Sequence, residues 1–377
     1  MNRCFIGFLL NILLISCSNT QSFVSNDISI KYHPKIIKTS ELLDSCKIVI
    51  PQSDEKQQYI GNIERVLCAN NKYYLVDRKR NAILSFNEEG HFEKTTASLI
   101  GRGPGEYIRI LDAAVDLKSN RIYVYCDAPY QMMIFDYNLN LVEVVKVELL
   151  FKEFAIDGDY IFALCQNVDD WSKYELRCYN KTDINGSYKV LAKQDKGIAG
   201  TGGLGKSVTY DGRNCYFCLP FDNKIYRISN GEIENGWNLD FNEKWFSYEA
   251  SRQLKGTRFI TKNKDVNWYV QNLCVSDSLV LFNTNLSNIF VVNKKLNVGD
   301  SYSEIINDIF PYSSSWIIPV NGQPSKMCFI VPSVHAKRVI DHIKEDKNNL
   351  IYNKIKQKIS DYDANDNPLI LVWDIKQ

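Results

Sequence analysis

The chain has 377 residues, room for one large domain or two ordinary ones. At 45% hydrophobic and 24% charged it has ordinary globular composition, which excludes a disordered or collagen-like chain. A formal net charge of +1 gives no electrostatic case for nucleic acid or acidic polymers as partners, and four histidines (His33, His91, His335, His342) leave little material for histidine catalysis or metal sites.

The first residues read as a processing signal. Arg3 precedes an apolar run from Phe5 to Ile15, interrupted by Asn11 and too short to span a bilayer as a helix. It ends in Leu14-Ile15-Ser16-Cys17, which resembles the lipobox of bacterial lipoproteins. That resemblance implies removal of residues 1–16, acylation of Cys17 and membrane attachment without a transmembrane helix. No Asp follows Cys17 (Ser18-Asn19-Thr20), so the resemblance implies the outer membrane, lipid-anchored, on the periplasmic side or the cell surface. Residues 17–31 are polar and are expected to form a flexible tether.

Without Cys4 and the acylated Cys17, nine of the eleven cysteines remain, an odd number that leaves at least one thiol unpaired. Most lie inside apolar runs, as in Tyr123-Val124-Tyr125-Cys126, and are expected to act as small buried hydrophobes. Cys215 and Cys218 have CxxC spacing, but in an extended strand they face opposite sides, against a disulfide or a shared metal.

From Tyr59 onward short runs rich in aromatic and β-branched residues recur between Asn, Asp and Gly. They include Lys72–Asp77, Arg121–Asp127, Asp159–Leu164, Asn214–Leu219, Ser278–Phe282 and Met327–Val331, and most are followed by a second such run. Asp77 and Asp127 are 50 residues apart, and Phe86 and Phe135 are 49 apart. A repeated cassette of this period is the mark of a β-propeller blade, whereas a β-sandwich has no reason to repeat its sequence. The expected fold is all-β, a six-bladed β-propeller over residues 32–377. Ser333 to Ser360 breaks the pattern: Val339, Ile343, Ile351, Ile355 and Ile359 recur at spacings of four or a multiple of it, predicting a helical insertion in the last blade.

Gly101-Arg102-Gly103-Pro104-Gly105-Glu106-Tyr107, the Leu219–Ile228 strand pair and the Asn367-Pro368-Leu369 start of the last strand resemble elements of the bacterial six-bladed β-propeller lipoproteins, relatives of the NHL-repeat propellers. The resemblance covers nearly the whole mature chain. It implies fold and compartment and transfers no catalytic residues.

Two glycine-rich stretches invite chemical readings. Gly200 to Ser207 matches GxxxxGK[ST], but a working P-loop needs a helix after it, and Val208-Thr209-Tyr210 reads as a strand. Nucleotide is therefore not expected, and Lys206 is expected to be exposed on a loop. Gly101–Tyr107 reads as a tight connection in which Glu106 accepts backbone amides; Arg102, Glu106 and Tyr107 are the candidate ligand-face residues. The carboxylates Asp112, Asp116, Asp157, Asp159, Asp169 and Asp170 are scattered through turns. No cofactor is expected, although these carboxylates leave room for a calcium ion in the channel.

The function expected is a membrane-tethered, non-enzymatic binding or scaffold module for a protein, peptide or glycan. The rival is a hydrolase or lyase working through carboxylates or an ion at the channel mouth. Three or more Asp or Glu converging at the channel mouth would favour the rival, and an apolar or aromatic mouth would favour binding.

Overall fold

A computed structural model describes residues 25–52, 59–148, 150–199, 205–254, 256–309, 312–345 and 367–377. The signal segment 1–16 and Cys17 lie outside these residues.

The apolar runs form the antiparallel meanders that their spacing predicts. Ile63–Ala69, Lys72–Asp77, Ala82–Asn87 and Phe92–Thr95 make the first. Its opening turn places Asn70 and Asn71 at φ 48° and 59°, the left-handed pair that a tight hairpin requires and asparagine tolerates. Arg109–Asp116, Arg121–Asp127, Gln131–Asp136 and Leu141–Lys146 repeat the pattern. Glu153–Asp157, Tyr160–Gln166, Tyr174–Asn180 and Tyr188–Gln194 follow. Val208–Tyr210, Cys215–Phe217, Lys224–Ser229 and Glu232–Asp240 come next, then Val270–Val275, Leu279–Thr284, Ile289–Asn293 and Val298–Ile306. In each meander the first strand is innermost. It packs beside the first strand of the next meander, from Ile63–Ala69 round to Ile318–Asn321, which returns to pair in parallel with Ile63–Ala69 through Val66 and Val320. The fold is propeller-like.

The ring closes through both ends of the chain. Ile318–Asn321, Lys326–Val331 and Leu369–Ile375 are completed by Leu43–Val49, with Cys46 opposite Trp373 and Val49 opposite Ile370. This is the pairing expected of a closed ring, which removes the edges an open one would expose.

The expected tether is corrected in part. Ser25–Lys31 is not a tether: it begins the strand Ser25–Lys38, which runs parallel to Glu232–Asp240 on one side and Val298–Ile306 on the other. Those two outer strands offer unpaired backbone groups, and Ile28 and Ile30 alternate inward against Trp237, Leu239 and Phe290. The polar residues between them disguised a strand as a linker. Residues 17–24 lie outside the described residues.

Ser333–Glu345 is helical and packs Ala336, Val339 and Ile340 against Met327, Phe329 and Leu371. The rest of the helical segment expected to Ser360 lies outside the described residues. Two short helices that the sequence reading did not anticipate, Tyr248–Ser251 and Gly256–Lys262, sit before Val270–Val275; Phe259 of the second anchors among Phe221, Phe246 and Trp268. Cys215 and Cys218 fall in different core clusters, as opposite strand faces require, and burial pushes both thiols well up. No helix among the described residues is long and apolar enough to cross a membrane.

Candidate functional site

The innermost strands all start at one end of the ring. At the other end inner strands that are not neighbours in the ring meet. Gly322 donates its N–H to the Tyr210 carbonyl at 2.8 Å, and Tyr210 donates its own to Asn321 Oδ1 at 3.0 Å. Gly322 has φ 88° and packs so tightly on the Cys68 carbonyl that a Cβ would overlap it.

The open end carries a cluster of buried charge. Arg65, Asp112, Glu153 and Lys206 come from the starts of successive meanders, and all are buried. Arg65 Nε lies 3.2 Å from Asp112 Oδ1 and its Nη2 3.8 Å from Glu153 Oε2. Lys206 Nζ lies 3.2 Å from Asp112 Oδ1 and 3.1 Å from Glu64 Oε1, which also accepts from Arg78 Nη1 at 2.8 Å. The same carboxylates stitch neighbouring meanders together. Phe154 N donates to Asp112 Oδ2 at 3.0 Å; Ser207 N and Val208 N donate to Glu153 Oε2 at 2.7 and 3.1 Å. Asn272 Oδ1 accepts from Lys206 N in turn.

Burial opposes the charge on Lys206, but the Asp112 and Glu153 carboxylates outweigh it and hold its ammonium above the ordinary lysine range. Burial pushes the Glu153 carboxyl up against the pull of Lys206 and Arg65. Burial also pulls Lys152 down; its ammonium lies 5.2 Å from the centre of the Tyr174 ring.

Above the cluster lies a cleft with two arms. One, of about 570 Å³, is lined by Asn62, Arg65, Asn272, Trp316 and Asn321, among others. The second, of about 340 Å³, is lined by Lys152, Glu153, Gln166, Trp171 and Tyr269. Glu64, Arg78, Gly205 and Lys206 line both.

The residues singled out from the sequence lie elsewhere. Tyr107 is fully buried, and its hydroxyl sits 2.9 Å from Thr96 Oγ1 and donates to the carbonyls of Asn81 and Thr96. It faces the interior of the blade. Glu106 accepts from Gly103 N at 2.7 Å, as expected, and closes on Gly101 so tightly that a Cβ there would overlap its carboxylate. Arg102 is exposed on the same loop. None of the three lines the cleft.

The expectation of an exposed Lys206 is overturned, because its ammonium is drawn inward by Asp112 and Glu64. Gly200–Leu204 lies outside the described residues. The strand expected after the motif is present at Val208–Tyr210, so no helix N-terminus follows Lys206.

A signal for the cluster was in the sequence. Asp112-Ala-Ala-Val-Asp116, Glu153-Phe-Ala-Ile-Asp157 and Ser207-Val-Thr-Tyr-Asp211 share one frame: a polar residue at the mouth, a short inner strand, and an Asp at the far turn. In that frame Lys206 immediately precedes the mouth position.

The family described as "Domain of unknown function (DUF4934)" matches residues 25–373. No curated protein matches the chain. Among solved structures, the chain is similar to a "Putative exported protein" from Bacteroides fragilis, at 15% identity and TM-score 0.70, over 93% of this chain and 100% of that one. It also matches a chain of a nidogen/laminin complex (11% identity, TM-score 0.40, 64% and 79% covered) and BamB from Moraxella catarrhalis (9%, 0.38, 62% and 62%).

Proposed function

We propose that this chain, which belongs to the DUF4934 family, is a six-bladed, NHL-like β-propeller lipoprotein that binds its ligand at the channel mouth and does not turn it over. The ligand is a protein, peptide or glycan. The six innermost strands round the ring support the count of six blades, and the Ser333–Glu345 helix supports an insertion in the last blade. Lipidation at Cys17 and outer-membrane anchoring rest on the order of Arg3, the apolar run, Ser16 and Cys17; the exported Bacteroides fragilis relative supports the compartment.

The observation that carries the binding reading is the pairing of every carboxylate at the mouth. Glu64, Asp112 and Glu153 do converge there, the arrangement that favours a hydrolase or lyase. Each, however, faces a cation, and Asp112 and Glu153 also accept backbone amides of the next blade. Carboxylates so occupied stabilise the ring and are not poised to move protons. The enzymatic alternative rests on Glu153 alone, whose carboxyl burial pushes up.

The test is a glycan and peptide array probed with the mature chain carrying Cys17→Ser and with the same chain carrying Arg78→Ala and Trp316→Ala. The proposal expects ligands held by the first and lost by the second. Ligands held equally by both, or none at all, would contradict it.

A further inference from the structure

We infer that the cleft takes a short oligosaccharide carrying a carboxylate, a uronic-acid glycan, with its acid group on the mouth cations and its sugar faces on Trp171 and Trp316. The inference rests on the binding role proposed above and names the ligand class for that same site.

Cations exceed carboxylates around the cleft. Arg65, Arg78, Lys152 and Lys206 face Glu64, Asp112 and Glu153, one positive charge in excess. Donors are also left over. Arg65 Nε and Nη2 are buried against Asp112 and Glu153, where they, like Asp112 Oδ1, make ion pairs without hydrogen-bond geometry, so the donors that can reach a ligand are those of Lys206 and of Arg78, whose side chain is 66% exposed. Lys206 Nζ has two carboxylate partners for three protons. The third Lys206 proton and the exposed Arg78 guanidinium can donate to a ligand carboxylate at charge-assisted strength.

The rest of the lining selects sugar over peptide. Trp171, 54% exposed, stands in one arm, and Trp316 lines the other. Such indole faces suit the apolar C–H face of a pyranose. Asn62, Arg78 and Gln166 supply polar groups between them. A peptide bound by strand addition needs a row of free backbone groups. Here the inner-strand amides are taken: Phe154 by Asp112, Ser207 and Val208 by Glu153, Lys206 by Asn272. The near-neutral chain exerts no long-range pull on a polyanion, so recognition is local and suits a short acidic oligosaccharide.

The experiment is calorimetric titration of the Cys17→Ser chain with short oligosaccharides of galacturonate, of guluronate and mannuronate, and of glucuronate with N-acetylglucosamine, each beside its carboxyl-reduced neutral counterpart. At least one acidic series binds, and carboxyl reduction weakens it about tenfold or more. Arg78→Ala and Trp171→Ala, both at exposed side chains, weaken it similarly while leaving the unfolding midpoint unchanged. Equal binding of acidic and neutral forms, or no binding by any acidic series, overturns the inference. If the array still yields a ligand lost with Arg78→Ala and Trp316→Ala, only the ligand class falls. If the array yields none, the binding reading falls with it.

Discussion

Lys206 Nζ lies 3.2 Å from Asp112 Oδ1, although their strands are not neighbours in the ring. The Glu153–Asp157 strand stands between Arg109–Asp116 and Val208–Tyr210, so this ion pair reaches past a whole inner strand. With Glu64, Arg65 and Glu153 it ties the beginnings of four blades into one charged knot beneath the cleft.

Lys206→Ala removes a cation that two carboxylates share in a buried setting. Breaking such a pair leaves uncompensated charge, and a loss of about 3 kcal/mol is expected. Urea unfolding monitored by tryptophan fluorescence measures it. A loss of only a few tenths, the value for an exposed lysine, would mean that the ammonium does not sit in the cluster.

At the end away from the cleft, Gly322→Val should cost about 3 kcal/mol or more, since φ 88° disfavours a branched residue and the Cys68 carbonyl leaves no space. Gly158→Ala is the control: it too has positive φ, 62°, but nothing stands near its Cβ position. Its cost should be about 1 kcal/mol, and equal thermal shifts for the two variants would remove packing as the cause.

Much of the fold was legible because blade strands announce themselves. Tyr, Val, Ile and Phe crowd into runs bounded by Asn and Asp, and the run repeats. The pairing of Cys46–Val49 with Ile370–Trp373 is what the propeller reading entails, because a ring must close. The Ser25–Lys38 strand was not, because only Ile28 and Ile30 in its first half bury apolar surface and its stability comes from edges contributed by distant segments. The site was harder still. Lys206 looked like a loop lysine in a glycine-rich stretch, and only the positions of Asp112 and Glu64 in space give it partners. The Gly101–Tyr107 loop read as a tight connection that could also meet a ligand, and Tyr107 serves the connection: its hydroxyl ties Thr96 and Asn81 inside the blade.

Asp222 gives a pH test away from the mouth. It is buried, and burial pushes its carboxyl up despite the hydrogen bond from Tyr226 Oη at 2.6 Å. With a folded pKa above the unfolded one, its contribution is fully present below the unfolded value, about 4, and is lost as pH rises through the folded value. Asp222→Asn keeps the acceptor without the charge. It should therefore be more stable than wild type at neutral pH, with the advantage vanishing toward pH 4. Urea midpoints across that range check it; an advantage that grows on acidification would reverse the assignment.

Cys17→Ala should abolish acylation and release the protein from membranes or leave its signal peptide uncut. Mass spectrometry of the wild-type N-terminus decides the matter. A cleavage site elsewhere with no acyl chains would remove the anchor from the account.

The central claim, that the mouth holds a ligand without transforming it, is tested most directly by recovering ligands after long incubation. The acidic oligosaccharides and any ligand retained on the array are incubated with the Cys17→Ser chain and analysed by mass spectrometry, beside Glu153→Gln. The account predicts that every ligand returns intact with either protein. A cleavage or elimination product that forms with the unaltered mouth and disappears with Glu153→Gln would contradict it and assign Glu153 to catalysis.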